Sequence, residues 1–340
     1  MKIGIIIRMK ANYDDYYELT PKGEKWFKGR KDRLRIEEAV YLYLKWKHPE
    51  HSFVKINPYN LNRKRALSCD IVWQGMEDYT NLFKHVVVYP RKGTQKQRMA
   101  RHKEMWEGLM NLPNIFPPKE YTEYNTNKCN YYAFARKLGI NVVPTNCMDI
   151  KTVTLKKFLN FANKFDSVYV KPMPSGEGHG NASFKKPYNK TEIQEYIKYA
   201  GKEGFHTLVV QEYATNWPTE RNPELRTVWV GHKYQYGIRT KKMGEVTGMI
   251  KRLPKIIREG SLLLISKLEK KFNVPNITVR IDWGKTPDGK YFLNEFETMF
   301  GTFIDYFGNP SLEVAMGDRL VEVAKEMIAR KKKKNSRKKK

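Results

Sequence analysis

Four charged side chains in one predicted β-hairpin have the types and spacing for metal chemistry. Asp288-Gly289 lies between two strand-like runs, which is typical of a hairpin with a two-residue turn. Such a turn places Asp282 opposite Glu295 and Arg280 opposite Glu297. Because side chains alternate along a strand, all four lie on one face of the hairpin. The pattern therefore collects three carboxylates and one guanidinium on a single surface.

The facing carboxylates indicate a bound divalent cation. Directly opposed carboxylates destabilise a hairpin, so we expect Glu295→Gln to stabilise it when no cation is present. Mg²⁺ would remove this repulsion, since it binds one or two protein carboxylates together with phosphate oxygens and water. The alternative is a solvated acidic face. The flanking Phe292, Leu293 and Phe296 favour a half-buried hairpin and hence a metal site.

A second candidate site follows a predicted strand over residues 168–171. The strand ends at Lys171, and the loop beyond it carries Gly176, Gly178 and Gly180 at alternate positions. Residues without Cβ atoms let backbone N–H groups close around phosphate oxygens, and the lysine adds a positive charge. No helix follows at once, so the segment matches neither the P-loop nor the dinucleotide fingerprint. A flexible turn without a ligand is the alternative.

A third group of polar residues ends a predicted strand over residues 208–213. The apolar stretch closes with Gln211-Glu212-Tyr213, and a linker leads to Glu224 and Arg226 at the start of another strand. Glu224 and Arg226 share a face because they are two residues apart. Either side chain could point into a cleft, and an internal ion pair between them is the alternative.

The elements that must position these groups fall into two regions. Before residue 118, strands alternate with helices, which predicts a small α/β domain with a parallel sheet. Its strands are predicted at 2–8, 53–56 and 69–73, and its helices around 36–44 and 97–110. The second region follows the Pro-rich stretch 112–118, with strands at 168–171, 207–213, 226–230, 277–283 and 290–297. Its helices are predicted around 131–138, 154–162, 191–200, 261–272 and 320–327.

The order of the three polar groups resembles the ATP-grasp superfamily. A lysine-tipped strand with a glycine loop comes first, then Gln-Glu-Tyr, then a hairpin with Arg-x-Asp and Asn-Glu-x-Glu. Within the superfamily, the segment is similar to carboxylate–amine ligases such as D-alanine–D-alanine ligases and glutathione synthetases. The resemblance covers residues 120–305 and includes an entry helix that begins at Asn127-Lys128.

The resemblance implies ATP and Mg²⁺ as cofactors and a role for each matching residue. Contacts with the ATP phosphates are expected from Lys128 and Lys171, under a lid that contains Ser175, Gly176, Gly178 and Gly180. Adenine is expected to lie against the hinge formed by Gln211, Glu212 and Tyr213. The ribose is expected to bind Glu212, Glu220 or Glu224. Stabilisation of the transferred phosphoryl group or acyl-phosphate is expected from Arg226, Arg239 and Arg280. The expected magnesium ligands are Asp282, Glu295 and Glu297.

The resemblance also implies a fold of the α/β class. A small N-terminal α/β domain with a parallel sheet over 1–117 would precede an ATP-grasp domain over 118–330, with lobes over 118–210 and 211–330. Relatives usually have Asn at the position of Glu297 and often Pro at that of Phe300. A third carboxylate could hold a second magnesium ion more tightly or could alter the reaction. The N-terminal domain carries no family signature, so the substrate stays open.

The leading hypothesis for function is an ATP- and Mg²⁺-dependent ligase. It would activate a substrate carboxylate as an acyl-phosphate for attack by an amine or a similar nucleophile. A second hypothesis is an ATP-grasp kinase that stops at phosphoryl transfer. A third is a non-catalytic, basic nucleic-acid-binding or structural particle protein that retains the fold. Amine-dependent ADP release separates the first two, and salt-sensitive DNA binding without ATPase activity would favour the third.

Composition and charge predict an intracellular protein with anionic partners. The chain has 340 residues and a formal net charge of +28, with 40% hydrophobic residues. Its apolar runs are far shorter than the roughly 20 residues that span a bilayer, so we expect no membrane partner. The three cysteines, Cys69, Cys129 and Cys147, lack paired spacing and are expected to be free thiols in a reducing compartment such as the cytoplasm.

The C-terminal segment is strongly basic. Residues 330–340 carry nine positive charges and no acidic residue. Because like charges repel one another, residues 331–340 are expected to be disordered. The segment could bind nucleic acid or another polyanion, could act as a nuclear-import signal, or could serve only as a solvated tail.

Overall fold

The computed structural model describes residues 1–7, 36–75, 79–90, 92–175, 178–214, 217–241, 244–297 and 311–338. Three β-sheets and their flanking helices make up this part of the chain. Gly176 and Phe300, which were singled out in the sequence, lie outside the described residues. No helix among the described residues is long and apolar enough to cross a membrane.

The first sheet is parallel and confirms the predicted α/β arrangement. Its strand order is β2-β1-β3-β4, formed by β1 (Lys2–Ile6), β2 (Ser52–Ile56), β3 (Ile71–Trp73) and β4 (Ile115–Phe116). Parallel neighbours need crossover connections. The described helices between these strands are α1 (Ile36–Lys47), α2 (Arg63–Leu67), α3 (Tyr79–Phe83) with a π-helical continuation (Lys84–Val88), and α4 (Gln95–Met110). Their apolar faces cover the sheet on both sides.

The second sheet is antiparallel and carries Lys171 and Gln211 on one of its faces. Its order is β5-β8-β6-β7, formed by β5 (Thr145–Asp149), β6 (Ser167–Met173), β7 (Ala182–Lys185) and β8 (Thr207–Glu212). Two amphipathic helices, α7 (Leu155–Ala162) and α8 (Lys190–Lys202), bury Phe158 and Ile193 against one face of this sheet. Alternation along the strands therefore leaves Lys171 and Gln211 on the other face.

The third sheet is antiparallel and carries the predicted hairpin. Its order is β11-β10-β9-β12-β13, formed by β9 (Glu224–Val230), β10 (Lys233–Thr240), β11 (Val246–Met249), β12 (Thr278–Lys285) and β13 (Tyr291–Glu297). Helix α9 (Lys255–Phe272) packs Leu264 and Ile265 against Trp229 and Ile281 on one face. The same core includes residues of α6 (Lys128–Lys137), which follows α5 (Lys119–Thr126). Helix α6 thus packs on the third sheet although it precedes the second sheet in the chain.

The last helix, α10 (Ser311–Lys338), packs on the N-terminal sheet region and extends into the basic segment. Tyr43 of α1 donates a hydrogen bond to Asp318 over 2.7 Å, and its ring lies where a Cβ on Gly317 would collide with it. The expectation of a disordered segment from residue 331 is corrected as far as Lys338, because residues 331–338 are helical. Extending an existing helix avoids the costly nucleation step. The packed part of α10 can therefore continue as a helix into the basic residues despite the repulsion among their charges.

The expectation of free cysteines is wrong for two of the three. Cys129 at the start of α6 and Cys147 in β5 form a disulfide, whereas Cys69 is a buried free thiol. The connection between α6 and β5 turns the chain back, so that the two Cα atoms lie 6.2 Å apart. Such proximity depends on the path of this connection, which the spacing of the cysteines does not reveal.

Candidate functional site

The hairpin formed by β12 and β13 has the predicted pairing at its charged end. Asp282 pairs with Glu295, and Arg280 pairs with Glu297. The turn is one residue longer than predicted, because Lys285 pairs with Tyr291 and the backbone N–H of Thr286 donates to the carbonyl of Lys290. A β-bulge between Asp282 and Trp283 restores the predicted register. Two deviations of one residue therefore cancel before the chain reaches the carboxylates.

Arg280 lies among the three predicted metal ligands. Its Nε and Nη2 atoms each lie 2.9 Å from an oxygen of Asp282, and Nη2 lies 3.0 Å from Glu297 and 3.7 Å from Glu295. Arg280 and Asp282 are both buried. The guanidinium of Arg280 therefore offsets the repulsion among the three carboxylates. The sequence predicted that a bound metal ion would do so.

Lys128 neutralises one of these carboxylates from the opposite side. It is the first residue of α6, where the side chain of Asn127 caps the helix by accepting from the backbone N–H of Cys129. The Lys128 ammonium group donates a hydrogen bond to Oε1 of Glu295. A predicted phosphate ligand and a predicted magnesium ligand are thus paired with each other.

A second chain of contacts links the second sheet to the third. Nζ of Lys171 donates to Oδ1 of Asn294 over 2.8 Å, and Nδ2 of Asn294 donates to Glu224 over 2.6 Å. Nε of Arg226 donates to Glu224 over 2.6 Å and lies 3.8 Å from Asp282. The ion pair between Glu224 and Arg226 therefore exists, and both residues also face the hairpin carboxylates.

Together these contacts form one network, which we call the charge network. It contains four cationic and four carboxylate side chains and lies between the second and third sheets, with Asn294 as its neutral link. Its charged members are Lys128, Lys171, Arg226, Arg280, Glu224, Asp282, Glu295 and Glu297. Such a network can bind phosphate groups through its cations and a hard metal ion through its carboxylates.

The carboxylates of the charge network differ in their pKa values. Burial, with added repulsion from Glu295 and Asp282, raises the pKa of Glu297 to about 8 despite the attraction of Arg280. Burial likewise raises the pKa of Asp282 to about 6 against the opposing effect of Arg280 and Arg226. Burial also opposes ionisation of Glu295, but Lys128 and Arg280 outweigh it and lower the pKa to about 2. Glu295 is therefore the most strongly ionised of the three.

The carboxylates of the charge network are suited to a magnesium ion that also binds phosphate. Asp282, Glu295 and Glu297 do not by themselves surround one metal position. Among the described residues, no three acidic, histidine or cysteine side chains converge on one metal position. Mg²⁺ needs only one or two protein carboxylates when phosphate oxygens and water supply the rest. The directly paired Asp282 and Glu295 meet that requirement. The third ligand at Glu297 stays a prediction.

The second sheet brings the predicted base-binding residues to the end of β8. Gln211 is buried and donates to Oγ1 of Thr145 over 3.0 Å. Tyr213 stacks on Tyr169 with ring centroids 5.7 Å apart, and Glu212 is half buried. We call the surface formed by Gln211, Glu212 and Tyr213 the wall at the end of β8. It adjoins Lys171, since Tyr169 and Lys171 are alternate residues of β6.

The glycine loop is described at both of its ends. Ser175 is buried, Gly178 has φ +75°, and Gly180 has φ +73°. A Cβ at Gly180 would lie 2.9 Å from the ring of Phe205, so both the backbone conformation and the available space require glycine there.

Two predicted site residues lie apart from the charge network. Arg239 pairs with Leu225 across β10 and β9, whereas Arg226 pairs with Ile238. Directly paired residues share a face, so the exposed Arg239 lies on the face opposite to Arg226. Glu220 is exposed in the linker before β9.

Sequence reasoning missed two residues that join the site together. Tyr132 donates its hydroxyl hydrogen to the backbone carbonyl of Asn294 and accepts a hydrogen bond from Lys171 over 3.2 Å. Tyr132 is one turn beyond Lys128 on α6, and this spacing places both on the same helix face. Asn294 stands directly before Glu295 in the recognised motif, but only the bulge reveals that its side chain lies beside those of the network.

Comparisons with known proteins rest on structure alone. No protein-family profile and no curated protein sequence matches the chain. Among solved structures, D-cycloserine synthetase DcsG matches with a TM-score of 0.66 at 11% identity, over 95% of this chain and 100% of that one. D-alanine–D-alanine ligase from Bacillus anthracis, solved with ATP, matches with a TM-score of 0.58 at 13% identity, over 97% and 99%.

A third similar structure is a RiPP-associated ATP-grasp ligase from Chryseobacterium gregarium in complex with ADP and a leader and core peptide. It matches with a TM-score of 0.57 at 13% identity, over 94% of this chain and 96% of that one. These matches span nearly the whole of each chain, so they concern the entire fold and not one sheet. The chain has the fold of the ATP-grasp ligases.

Proposed function

We propose that this chain, which has the ATP-grasp fold, is an ATP- and Mg²⁺-dependent ligase that joins a carboxylate to an amine or a similar nucleophile. The observation that carries the proposal is the charge network between the second and third sheets. Four cations and four carboxylates are gathered there, largely buried, from five separate elements. A protein that binds no charged ligand there would gain little from this charge network, because removing charges from water is costly even when they are paired.

The cations would bind the phosphates and stabilise the group in transfer. Lys128 and Lys171 approach the hairpin from α6 and β6 and would neutralise the phosphates of ATP. Arg226 and Arg280, both next to Asp282, would stabilise the phosphoryl group as it moves. Magnesium, held by Asp282 and Glu295 with Glu297 as a third ligand, would offset the negative charge of the phosphates.

The nucleoside would occupy the wall at the end of β8. Gln211, Glu212 and Tyr213 would contact adenine, beneath the loop that contains Ser175, Gly178 and Gly180. For the ribose we favour Glu212 over Glu224. The carboxylate of Glu224 is buried and already accepts from Arg226, Asn294 and Thr240. Glu220 and Arg239 would lie outside the immediate site.

The reaction would proceed in two steps. A carboxylate oxygen of the substrate attacks the γ-phosphorus of ATP, the bond to the bridging oxygen breaks, and ADP leaves. The amine nitrogen then attacks the carbonyl carbon of the acyl-phosphate, loses a proton, and displaces inorganic phosphate. The residues of this chain need to supply no nucleophile. Their work is to hold the reactants in line and to neutralise charge.

The domain boundaries follow from the same proposal. Residues 1–117 would form the N-terminal domain, and 118–330 the ATP-grasp domain with lobes over 118–210 and 211–330. A kinase that stops at phosphoryl transfer would use the same nucleotide site. It differs from the ligase in that its release of ADP does not depend on an amine.

Hydroxylamine offers a test that needs no knowledge of the natural nucleophile, because it converts an acyl-phosphate into a hydroxamate. The protein is incubated with Mg²⁺-ATP, hydroxylamine and pools of amino acids and short peptides. We expect ADP and hydroxamate in equal amounts. Asp282→Asn should abolish both, whereas Asp288→Asn in the exposed turn of the same hairpin should not. Binding of ATP that is insensitive to both EDTA and Asp282→Asn would contradict the proposal.

A further inference from the structure

Three basic segments from distant parts of the sequence meet around residues 330 and 331 of α10. Nζ of Lys331 lies 3.4 Å from the backbone carbonyl of Asp70. Nη1 of Arg330 donates to the carbonyl and the side chain of Asn273 over 2.9 and 2.8 Å. Residues 330 and 331 of α10 therefore lie between the end of α2 and the end of α9, and the remaining basic turns of α10 follow them.

Both of these neighbouring helix ends are themselves basic. Helix α2 carries Lys64 and Arg65, which are exposed, just before the segment that contacts Lys331. Helix α9 carries Lys270 and Lys271 in its last turn, shortly before Asn273. We call the surface formed by Lys64, Arg65, Lys270, Lys331, Lys332 and Lys333 the basic junction. These six side chains are all exposed.

The acidic residues next to the basic junction already have local partners. Asp70 accepts a hydrogen bond from the backbone N–H of Lys2, and Glu326 is paired with Arg330. Glu269 contacts His232 and accepts from the backbone N–H of Asn276. Favourable interaction with a helix dipole explains basic residues in the last turn of α9. It does not explain why two further basic segments are placed beside them.

The helical form of the C-terminal segment adds to the positive charge density. Residues 330–338 rise by about 12 Å as an α-helix, and like charges three or four residues apart repel one another. Duplex DNA presents about seven phosphates over the same axial length. A phosphate backbone would relieve this repulsion, whereas an acidic peptide recognised by its sequence would also need side-chain pockets.

We propose that the basic junction binds the phosphate backbone of nucleic acid, with little dependence on base sequence. Lysine and arginine side chains from α2, α9 and α10 would each displace counterions from the backbone. The inference does not depend on the proposed ligase activity, because the junction is built from elements outside the charge network. Helices α2 and α9 extend the proposed binding surface beyond the C-terminal segment.

The decisive variant therefore removes charge from α2 and not from the C-terminal segment. Lys64→Ser/Arg65→Ser is compared with Lys156→Ser/Lys157→Ser, which removes the same charge from an exposed helix face on the second sheet. Affinity for a fluorescent 20-base-pair duplex is measured by anisotropy at several salt concentrations. We expect the α2 variant to bind at least about tenfold more weakly at 0.1 M salt, with a salt slope reduced by about 2. The α7 control should bind within about twofold of the unaltered protein.

A second variant and a competitor complete the experiment. Lys331→Ser/Lys332→Ser/Lys333→Ser should weaken binding further than the α2 variant, and circular dichroism verifies that each variant is folded. Unlabelled duplex should displace the probe far better than polyglutamate at equal charge. Equal losses in the α2 and α7 variants would mean a diffuse charge effect and would overturn the proposal. Equal displacement by polyglutamate would overturn it in favour of an acidic polypeptide. ATP binding, measured on the same variants, should not change.

Discussion

Lys128 and Glu295 form an ion pair although they are 167 residues apart in the sequence. The pair joins the start of α6 to strand β13 of the hairpin. Under the proposed function, one partner contacts phosphate and the other contacts magnesium. Binding of either ligand alone would therefore leave the other partner of a largely buried pair without its counter-charge.

This pairing predicts that nucleotide and magnesium bind cooperatively. Titration calorimetry should show that ATP with Mg²⁺ binds at least about tenfold more tightly than ATP in EDTA, a coupling of about 1.4 kcal/mol. Lys128→Met should weaken the binding of Mg²⁺-ATP. Equal nucleotide affinity with and without the metal would exclude this role for the carboxylates.

The same pair reverses the expected effect of Glu295→Gln on stability. The sequence suggested that removing this charge would relieve repulsion, but the structure pairs Glu295 with Lys128 and places it near Arg280. The substitution would leave Lys128 without its charged partner, so we expect the free energy of unfolding of the unliganded protein to fall by about 2 kcal/mol. Chemical denaturation tests this, with Glu245→Gln as a control because Glu245 is exposed in an i,i+4 pair with Lys241. A Glu295→Gln variant more stable than the unaltered protein would restore the original expectation.

Tyr132 and Tyr131 provide a matched pair of substitutions. The Tyr132 hydroxyl bridges Lys171 and the carbonyl of Asn294, whereas the neighbouring buried hydroxyl of Tyr131 does not form this bridge. Tyr132→Phe should weaken ATP binding about tenfold, because Lys171 loses a contact that positions it. Tyr131→Phe should leave ATP affinity unchanged. Equal effects of the two substitutions on nucleotide affinity would indicate a packing role only.

The raised pKa of Glu297 predicts a dependence of stability on pH. In the unfolded chain this carboxyl loses its proton near pH 4.5, whereas burial in the folded protein raises the pKa to about 8. Between these values the folded state binds more protons than the unfolded state, so stability falls as the pH rises. We expect the melting temperature of the unliganded protein to decrease from pH 5 to pH 8. Glu297→Gln, which resembles the protonated form, should reduce this decrease. Asp282 contributes with the same sign, since its pKa is raised to about 6.

Local patterns in the sequence predicted the longer helices, the central strands and much of the hairpin, but they did not predict β4, β5, β7, β10 or β11. Alternation of strand-like with helical segments predicted the parallel sheet, and Asp288-Gly289 predicted the hairpin. The predicted pairing of Asp282 with Glu295 was also correct, but the predicted length of the turn was not. The turn is one residue longer than predicted, and the bulge shifts the strand pairing back by one residue. The Asp-Gly pattern, which indicates a two-residue turn, reveals neither feature.

The sequence by itself determined which side chains share a face within a regular strand or helix, because that depends on the alternation of strands and the turns of helices. Asn294 is an exception, since its place depends on the bulge. Only the tertiary structure decided which charges pair across elements. Lys128 with Glu295, Lys171 with Asn294, and Cys129 with Cys147 are brought together by the packing of α6 and the second sheet on the third. The same holds for Arg239, which strand pairing places on the face opposite to Arg226. Contacts of this kind depend on how whole elements are oriented, and that orientation is fixed by the combined burial of many apolar side chains and not by the charged residues themselves.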